Sequence, residues 1–413
     1  MDNDSPKLRN TFFLCLAMIF MLATGQGAFL FLIVTYMESI QKPVQMIGSA
    51  MALLSILEAV FVLISGFYYQ GRKVRPIILS AILIQTLGTL ILASLPKFSG
   101  IWIGISLNAA GIGVMIVILY AVALERRPDR IHPGLAVGLY TAGIAAGNGV
   151  GAYLAGLIAD KANFQWAFIF SAISIAMVGA AACFLSDQLK RKAALVTVDE
   201  PRQNAAGFDS GKPYVWLFGI VGGFAMSSVI VIFDTLFPLY AISKGLTLSM
   251  IGFLSGLKMI LAATIRPFSG QILARIDAQR VSHWGIGGLS ISAMLLPFAG
   301  IGIGLIAVIG LMGLSFGTTR VTTAALALDG SIDSDLVSRR ISIYTVILSI
   351  SQSIGPFVAG WFAFWADIAT AIVVIPIFIL VSYSVTLWVI PKLTLPTIVV
   401  TLRRSPLSTK INS

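Results

Sequence analysis

Apolar residues run along this chain in twelve long blocks, each near the roughly 20 residues a helix needs to cross a hydrocarbon layer, with short polar stretches between them. The blocks predict helices over about 11–37, 45–69, 76–95, 101–124, 134–159, 164–185, 214–242, 248–273, 282–299, 301–328, 340–364 and 368–391. Most of the intervening loops have lengths that join neighbouring antiparallel helices, and they leave no room for a soluble active site. One polar stretch is much longer. Residues 186–213 carry Lys190, Arg191, Lys192, Asp199, Glu200, Arg202 and Asp209 without apolar periodicity, a composition that predicts a solvated linker. It divides the chain into a first half, 1–185, and a second, 214–391, followed by a polar tail at 392–413.

The two halves repeat one another at an offset of 204 residues. Phe29 to Gly66 laid without gaps on Phe233 to Gly270 gives 13 identities in 38 positions, among them Tyr36 with Tyr240 and Met46-Ile47-Gly48 with Met250-Ile251-Gly252. The same offset puts Tyr140 and Thr141 on Tyr344 and Thr345, and Gly151, Ala155 and Gly156 on Gly355, Ala359 and Gly360. A repeat of this length is one half of a transporter-like fold. The expected architecture is therefore an all-α integral membrane protein of two pseudo-symmetric six-helix bundles.

Composition agrees with lipid as the solvent, since 57% of the residues are hydrophobic and only 11% charged. Positive charge also alternates from loop to loop. Of the 28 Lys and Arg residues, 21 fall on the side that holds the N-terminal tail, the linker and the C-terminal tail, 4 on the other side and 3 within helices. By the positive-inside rule both termini are cytoplasmic, and the net charge of +11 reflects topology and attraction to an anionic leaflet, not nucleic-acid binding. The segment Met1 to Asn10 lacks a small-residue cleavage pattern, so the first helix reads as a retained anchor. Cys15 and Cys183 lie within apolar blocks as small buried side chains. No phosphate-binding loop, metal-ligand cluster or nucleophile with its base is present in the sequence. The chain reads as a non-enzyme without a cofactor, working as a monomer with membrane lipid around it.

Particular segments resemble the major facilitator superfamily. In the eleventh block, Ser353-Ile354-Gly355-Pro356-Phe357-Val358-Ala359-Gly360 is similar to the family's GPxxGG signature. In the fifth, Gly151-Ala152-Tyr153-Leu154-Ala155-Gly156 keeps the small positions but has Ala152 in place of proline. The loop after the second block, with Gly66, Gly71, Arg72 and Lys73, resembles the family's GxLaDRxGRK motif, as does its repeat Arg266-Pro267-Phe268-Ser269-Gly270-Gln271-Ile272-Leu273-Ala274-Arg275. Both copies lack the acidic residue of the motif. The resemblance implies gating or conformational roles for Gly66, Arg72, Gly151, Arg266, Gly270, Gly355 and Pro356. It also implies a central cavity lined by the first, fourth, seventh and tenth helices.

Ionisable residues at membrane depth are functional candidates by default, because each costs at least about 2.5 kcal/mol to insert. Glu58 and Asp234 are candidates for proton coupling, with a fixed ion pair to a neighbouring cation as the alternative for Glu58 and, for Asp234, one turn before Pro238, a hydrogen bond to a kinked neighbour as the favoured reading. Lys258 and Arg320 are candidates for capturing an anionic group of a substrate, with a structural charge pair as the alternative. Lys258 and Glu58 lie at similar depth, which leaves contact between them open. Gln26 in the first helix and Asn108 in the fourth are uncharged candidates for the cavity wall, or else interhelical hydrogen bonds. No carboxylate cluster suggests a sodium site, so protons are the simplest coupling ion. The expected function is a secondary active transporter in the inner membrane, moving a small organic solute by alternating access, with proton-coupled efflux leading. Proton-coupled uptake of an organic anion, such as a metabolite or siderophore, is the alternative, and a non-transporting receptor or structural subunit on a transporter fold is a third reading.

Overall fold

Backbone amides find no partner in lipid, so a chain of this composition satisfies them within helices. The computed structural model describes residues 6–68, 74–95, 98–125, 133–185, 215–268, 275–328 and 334–390, with isolated positions 128 and 273. The described residues form twelve long helices: α1 Pro6–Ser39, α2 Val44–Tyr68, α3 Val74–Ala93, α4 Ser99–Glu125, α5 Pro133–Lys161, α6 Phe164–Ala182, α7 Val215–Ser243, α8 Leu248–Ile265, α9 Ala278–Leu295, α10 Ile303–Ala327, α11 Ser334–Trp365 and α12 Ile368–Val389. All twelve are long and apolar enough to cross a membrane, and each falls on one of the expected blocks. The linker at 186–213 and the tail at 392–413 lie outside the described residues.

Local chemistry sets several helix ends. Asn163, Thr247 and Asp367 each accept a hydrogen bond from the backbone amide three residues on, which starts α6, α8 and α12 after tight turns. Pro238, Pro356 and Pro376 lie inside helices as expected. Pro267 and Pro297 do not; they sit in single tight turns, Arg266–Phe268 and Leu296–Phe298, that close α8 and α9. A proline ring clashes with the preceding turn and offers no amide, so the helix stops there. Cys183 also departs from expectation, since it is the exposed residue that ends α6, whereas Cys15 is buried.

The repeat survives as atomic packing. A methyl placed on Gly113 of α4 would lie 2.6 Å from the Glu58 carbonyl oxygen of α2, and one on Gly317 of α10 would lie 2.7 Å from the Ala262 carbonyl oxygen of α8. Both pairs are related by the 204-residue offset. The two seams between the halves obey the same offset: Gly48 of α2 faces the Pro356 carbonyl and Gly360 of α11, and Gly252 of α8 faces the Ala152 carbonyl and Gly156 of α5. Proline in one copy and alanine in the other present the same backbone oxygen to a glycine.

The seams differ along their length. The α5·α8 seam is closed throughout: Ser249 donates to Asp160 at 2.6 Å, Tyr153 meets Phe253 edge to face at 6.1 Å, Gly149 packs on Gly256, and Arg266 donates to the Thr141 carbonyl at 2.5 Å. The α2·α11 seam is closed at Gly48 but parts beyond it into an apolar groove of about 370 Å³ between Ile56–Leu63 and Thr345–Ile354.

Within the halves, Gly151 is jammed against the Thr24 carbonyl of α1, whereas its counterpart Gly355 has no neighbouring atom closer than 3.6 Å to an added methyl. We expect Gly151→Ala to lower the thermal midpoint of the detergent-purified protein by an amount equivalent to ~1–3 kcal/mol, and Gly355→Ala to leave it unchanged. Equal effects of the two substitutions would contradict the difference in packing.

Candidate functional site

A charge inside the bilayer is tolerated when another charge, a dipole or an aromatic face answers it. Asp234 lies on α7 and Lys258 on α8, twelve residues before and twelve after Leu246 in the turn that joins them, so the hairpin brings them to one depth. The Lys258 ammonium pairs with the Asp234 carboxylate and lies 4.6 Å from the centre of the Phe233 ring, which stacks on Phe237 at 4.7 Å. Lys258 is wholly enclosed, while Asp234 keeps 33% of its side chain exposed. The backbone of Lys258 is held by Gly313 of α10, where any side chain would strike the Lys258 carbonyl. One member of the pair is thus fixed and desolvated, and the other is reachable.

Glu58 is placed elsewhere. It is half-buried on α2 against α4, and among the described residues it makes no ion pair. The partner of Lys258 is Asp234, not Glu58. Leu54 and Leu30 occupy the positions that correspond to Lys258 and Asp234 in the first half.

A second group lies toward the other end of the second half. Arg266 follows the last turn of α8; it is 7% exposed, and its guanidinium lies 5.3 Å from the Phe316 ring centre. Its Nη1 bonds the Thr141 carbonyl, and its buried Nε has no hydrogen-bond partner among the described residues. Arg320 lies one helical turn along α10 from Phe316, on the same face of that helix. It is half-buried with its guanidinium 5.7 Å from the Tyr344 ring centre, and the Tyr344 hydroxyl shares a 2.9 Å hydrogen bond with Thr323.

The uncharged candidates are drawn into the first half. Gln26 accepts a 3.0 Å hydrogen bond from Gln85 of α3, and Asn108 donates to Thr89 of α3 at 3.2 Å. Gln26 and Asn108 are both buried, and Asn108 faces α3, where Gly88 packs on its backbone. Pro356 lies in the α2·α11 seam, Gly66 lies within α2, and Arg72 and Gly270 lie outside the described residues. Aromatic partners and carbonyl acceptors such as Phe233, Phe316 and Thr141 carry no sequence mark as site residues. The Asp234–Lys258 pairing did carry one in the equal spacing about the hairpin turn.

Twelve membrane-capable helices in two repeated halves, with an ion pair and two buried or half-buried arginines among them, define a polytopic membrane protein with the layout of a transporter. The chain belongs to the Major Facilitator Superfamily, whose family model matches residues 14–332. Its fold is similar to that of the nucleoside transporter NupG, with a TM-score of 0.74 and 10% identity over 91% of this chain and 99% of that one. It is similar also to a POT family transporter in complex with a thioalcohol-conjugated peptide, with a TM-score of 0.74 and 12% identity over 93% and 97%. An MFS thioclapurine efflux transporter of Claviceps purpurea is 34% identical over 111 residues, a match that spans 26% of this chain and 19% of that relative.

Removing one member of an enclosed ion pair strands the other, at a cost on the order of 3–5 kcal/mol, whereas replacing both by apolar residues can be neutral. Asp234→Leu is therefore expected to destabilise the purified protein strongly, and Asp234→Leu combined with Lys258→Leu, the residues that the first half carries, to recover most of the thermal midpoint. A double variant no more stable than the single one would contradict the pairing.

Proposed function

We propose that this transporter is a secondary active exporter that moves a small organic solute outward in exchange for protons, with the Asp234–Lys258 pair as the coupling point. The reading is carried by the unequal exposure of the pair. A proton can reach Asp234, but Lys258 cannot reach water. Protonation of Asp234 removes the only carboxylate paired with Lys258 among the described residues, and an enclosed ammonium without its counter-ion favours a different packing of α7 and α8. Return of the carboxylate restores the first packing. Proton occupancy and helix arrangement are then linked, which is the requirement for coupling an ion gradient to alternating access.

The concentration of Lys and Arg at one end of the bundle supports a cytoplasmic assignment for that end and for both termini. In that orientation the α2·α11 groove lies in the cytoplasmic half of its seam, with Gly48 and Gly360 packed together nearer the outer end. Efflux is also the activity of the Claviceps purpurea relative. Glu58 is a second carboxylate within the first half, subordinate in this reading because no cation answers its protonation. The route lies within one chain, so a monomer in the cytoplasmic membrane suffices.

The test is accumulation of labelled solutes from a small-molecule panel in proteoliposomes under an imposed pH gradient. The wild type and Glu58→Gln are expected to concentrate a solute against its gradient. Asp234→Asn is expected to permit only downhill exchange. Uphill accumulation by Asp234→Asn would overturn the coupling assignment, and accumulation in the opposite direction would replace export by uptake.

A further inference from the structure

Arg266 and Arg320 differ from Lys258 in that no carboxylate among the described residues pairs with either of them. Arg266 packs on the ring of Phe316, one helical turn from Arg320, and the buried Nε of Arg266 has no acceptor among the described residues. The acceptor that Arg266 does have, the Thr141 carbonyl, is neutral, and the aromatic faces of Phe316 and Tyr344 offset only part of the desolvation. Two guanidinium groups on packed helices, with no carboxylate beside them among the described residues, suit an anionic partner.

The internal repeat supplies a control on whether the fold itself needs these charges. The positions equivalent to Arg266 and Arg320 in the first half are Val62 and Ile116, and the equivalent of Tyr344 is Tyr140. The surrounding packing is the same in both copies, with Gly113 seated on α2 as Gly317 is seated on α8. In the first half the Tyr140 hydroxyl donates to the Ile116 backbone carbonyl at 3.1 Å, and the arrangement is complete without charge. In the second half the tyrosine hydroxyl turns instead to Thr323, and its ring lies beneath Arg320. The first copy of the scaffold thus carries apolar side chains at both places. The second carries the arginines instead, and their fork geometry suits a carboxylate or phosphate.

We infer that Arg266 and Arg320 form an anion-binding subsite on the transport route, and that the solute carries a carboxylate or phosphate group which Arg320 receives and buried Arg266 holds electrostatically. This rests on the transporter reading above and narrows its substrate class. Lys258 is excluded from the role by its own carboxylate. Tyr344 would flank the bound group as a ring surface.

The subsite can be tested at equilibrium, without a gradient, by thermal shift of the protein in neutral detergent with benzoate, phenyl phosphate, neutral benzamide and cationic benzylamine. At least one of the two anions is expected to stabilise the wild type saturably, and the neutral and cationic analogues are not. Arg320→Ile installs the residue that the first half carries. It should fold, match or exceed the unliganded wild-type midpoint, and lose the anion response by at least about tenfold in apparent affinity. Arg320→Lys should retain part of the response. A second arm compares nanodiscs of phosphatidylcholine alone with nanodiscs containing phosphatidylglycerol. Stabilisation by the anionic lipid with none by the free anions would assign the arginines to a lipid headgroup and overturn the solute reading. So would a wild type indifferent to both anions, or an Arg320→Ile variant that loses stability while keeping the anion response. Because no pH gradient enters these measurements, failure of proton coupling leaves their outcome unaffected.

Discussion

The halves of this transporter meet where a backbone carbonyl of one helix enters the space that a glycine of another leaves open. Lipid supplies little hydrophobic drive for helices to associate, so close van der Waals approach and a few polar contacts have to hold them. Gly48 and Gly252 provide that approach at the two seams, each against a carbonyl and a second glycine related by the repeat. The placement of two buried cations depends on such approaches. Lys258 is enclosed because Gly313 brings α10 onto its backbone, and Arg266 can reach Thr141 because Gly149 and Gly256 draw α5 and α8 together.

On this shared scaffold the halves have diverged chemically. The first half pairs some of its polar groups with neutral ones, Gln26 with Gln85 and Asn108 with Thr89, and carries one carboxylate, Glu58, without a cation beside it among the described residues. The second half carries Asp234, Lys258, Arg266 and Arg320 where the first has Leu30, Leu54, Val62 and Ile116. A duplicated bundle can specialise this way because the structural work at each position is done by the backbone and the glycines. Side chains facing the interior are then free to differ, subject to the cost of burying charge.

Much of the fold was legible in the chain because its signals are long and repeated. Twelve apolar blocks gave twelve helices, and the 204-residue register reappears in pairs such as Gly113 with Glu58 and Gly317 with Ala262. The ends of α8 and α9 were misjudged because Pro267 and Pro297 stop the helix within an apolar block that continues past them. Of the site, the residue types were legible and the partnerships less so. Asp234 and Lys258 could have been paired by counting outward from their common turn, whereas the approach of Arg266 to Thr141 joins helices 125 residues apart through a backbone oxygen that no side-chain pattern announces.

The unequal seams also have a mechanical meaning. Along α5·α8, hydrogen bonds at both ends bracket an aromatic contact and two glycine crossings, while α2·α11 is packed closely at Gly48 and Gly360 and borders an apolar groove farther along. A turn of one half against the other that keeps the first line intact breaks fewer contacts than one that keeps the second. The two seams are thus equivalent in the repeat and unequal in their fastening, and a turn that pivots on the first parts the less fastened of the two.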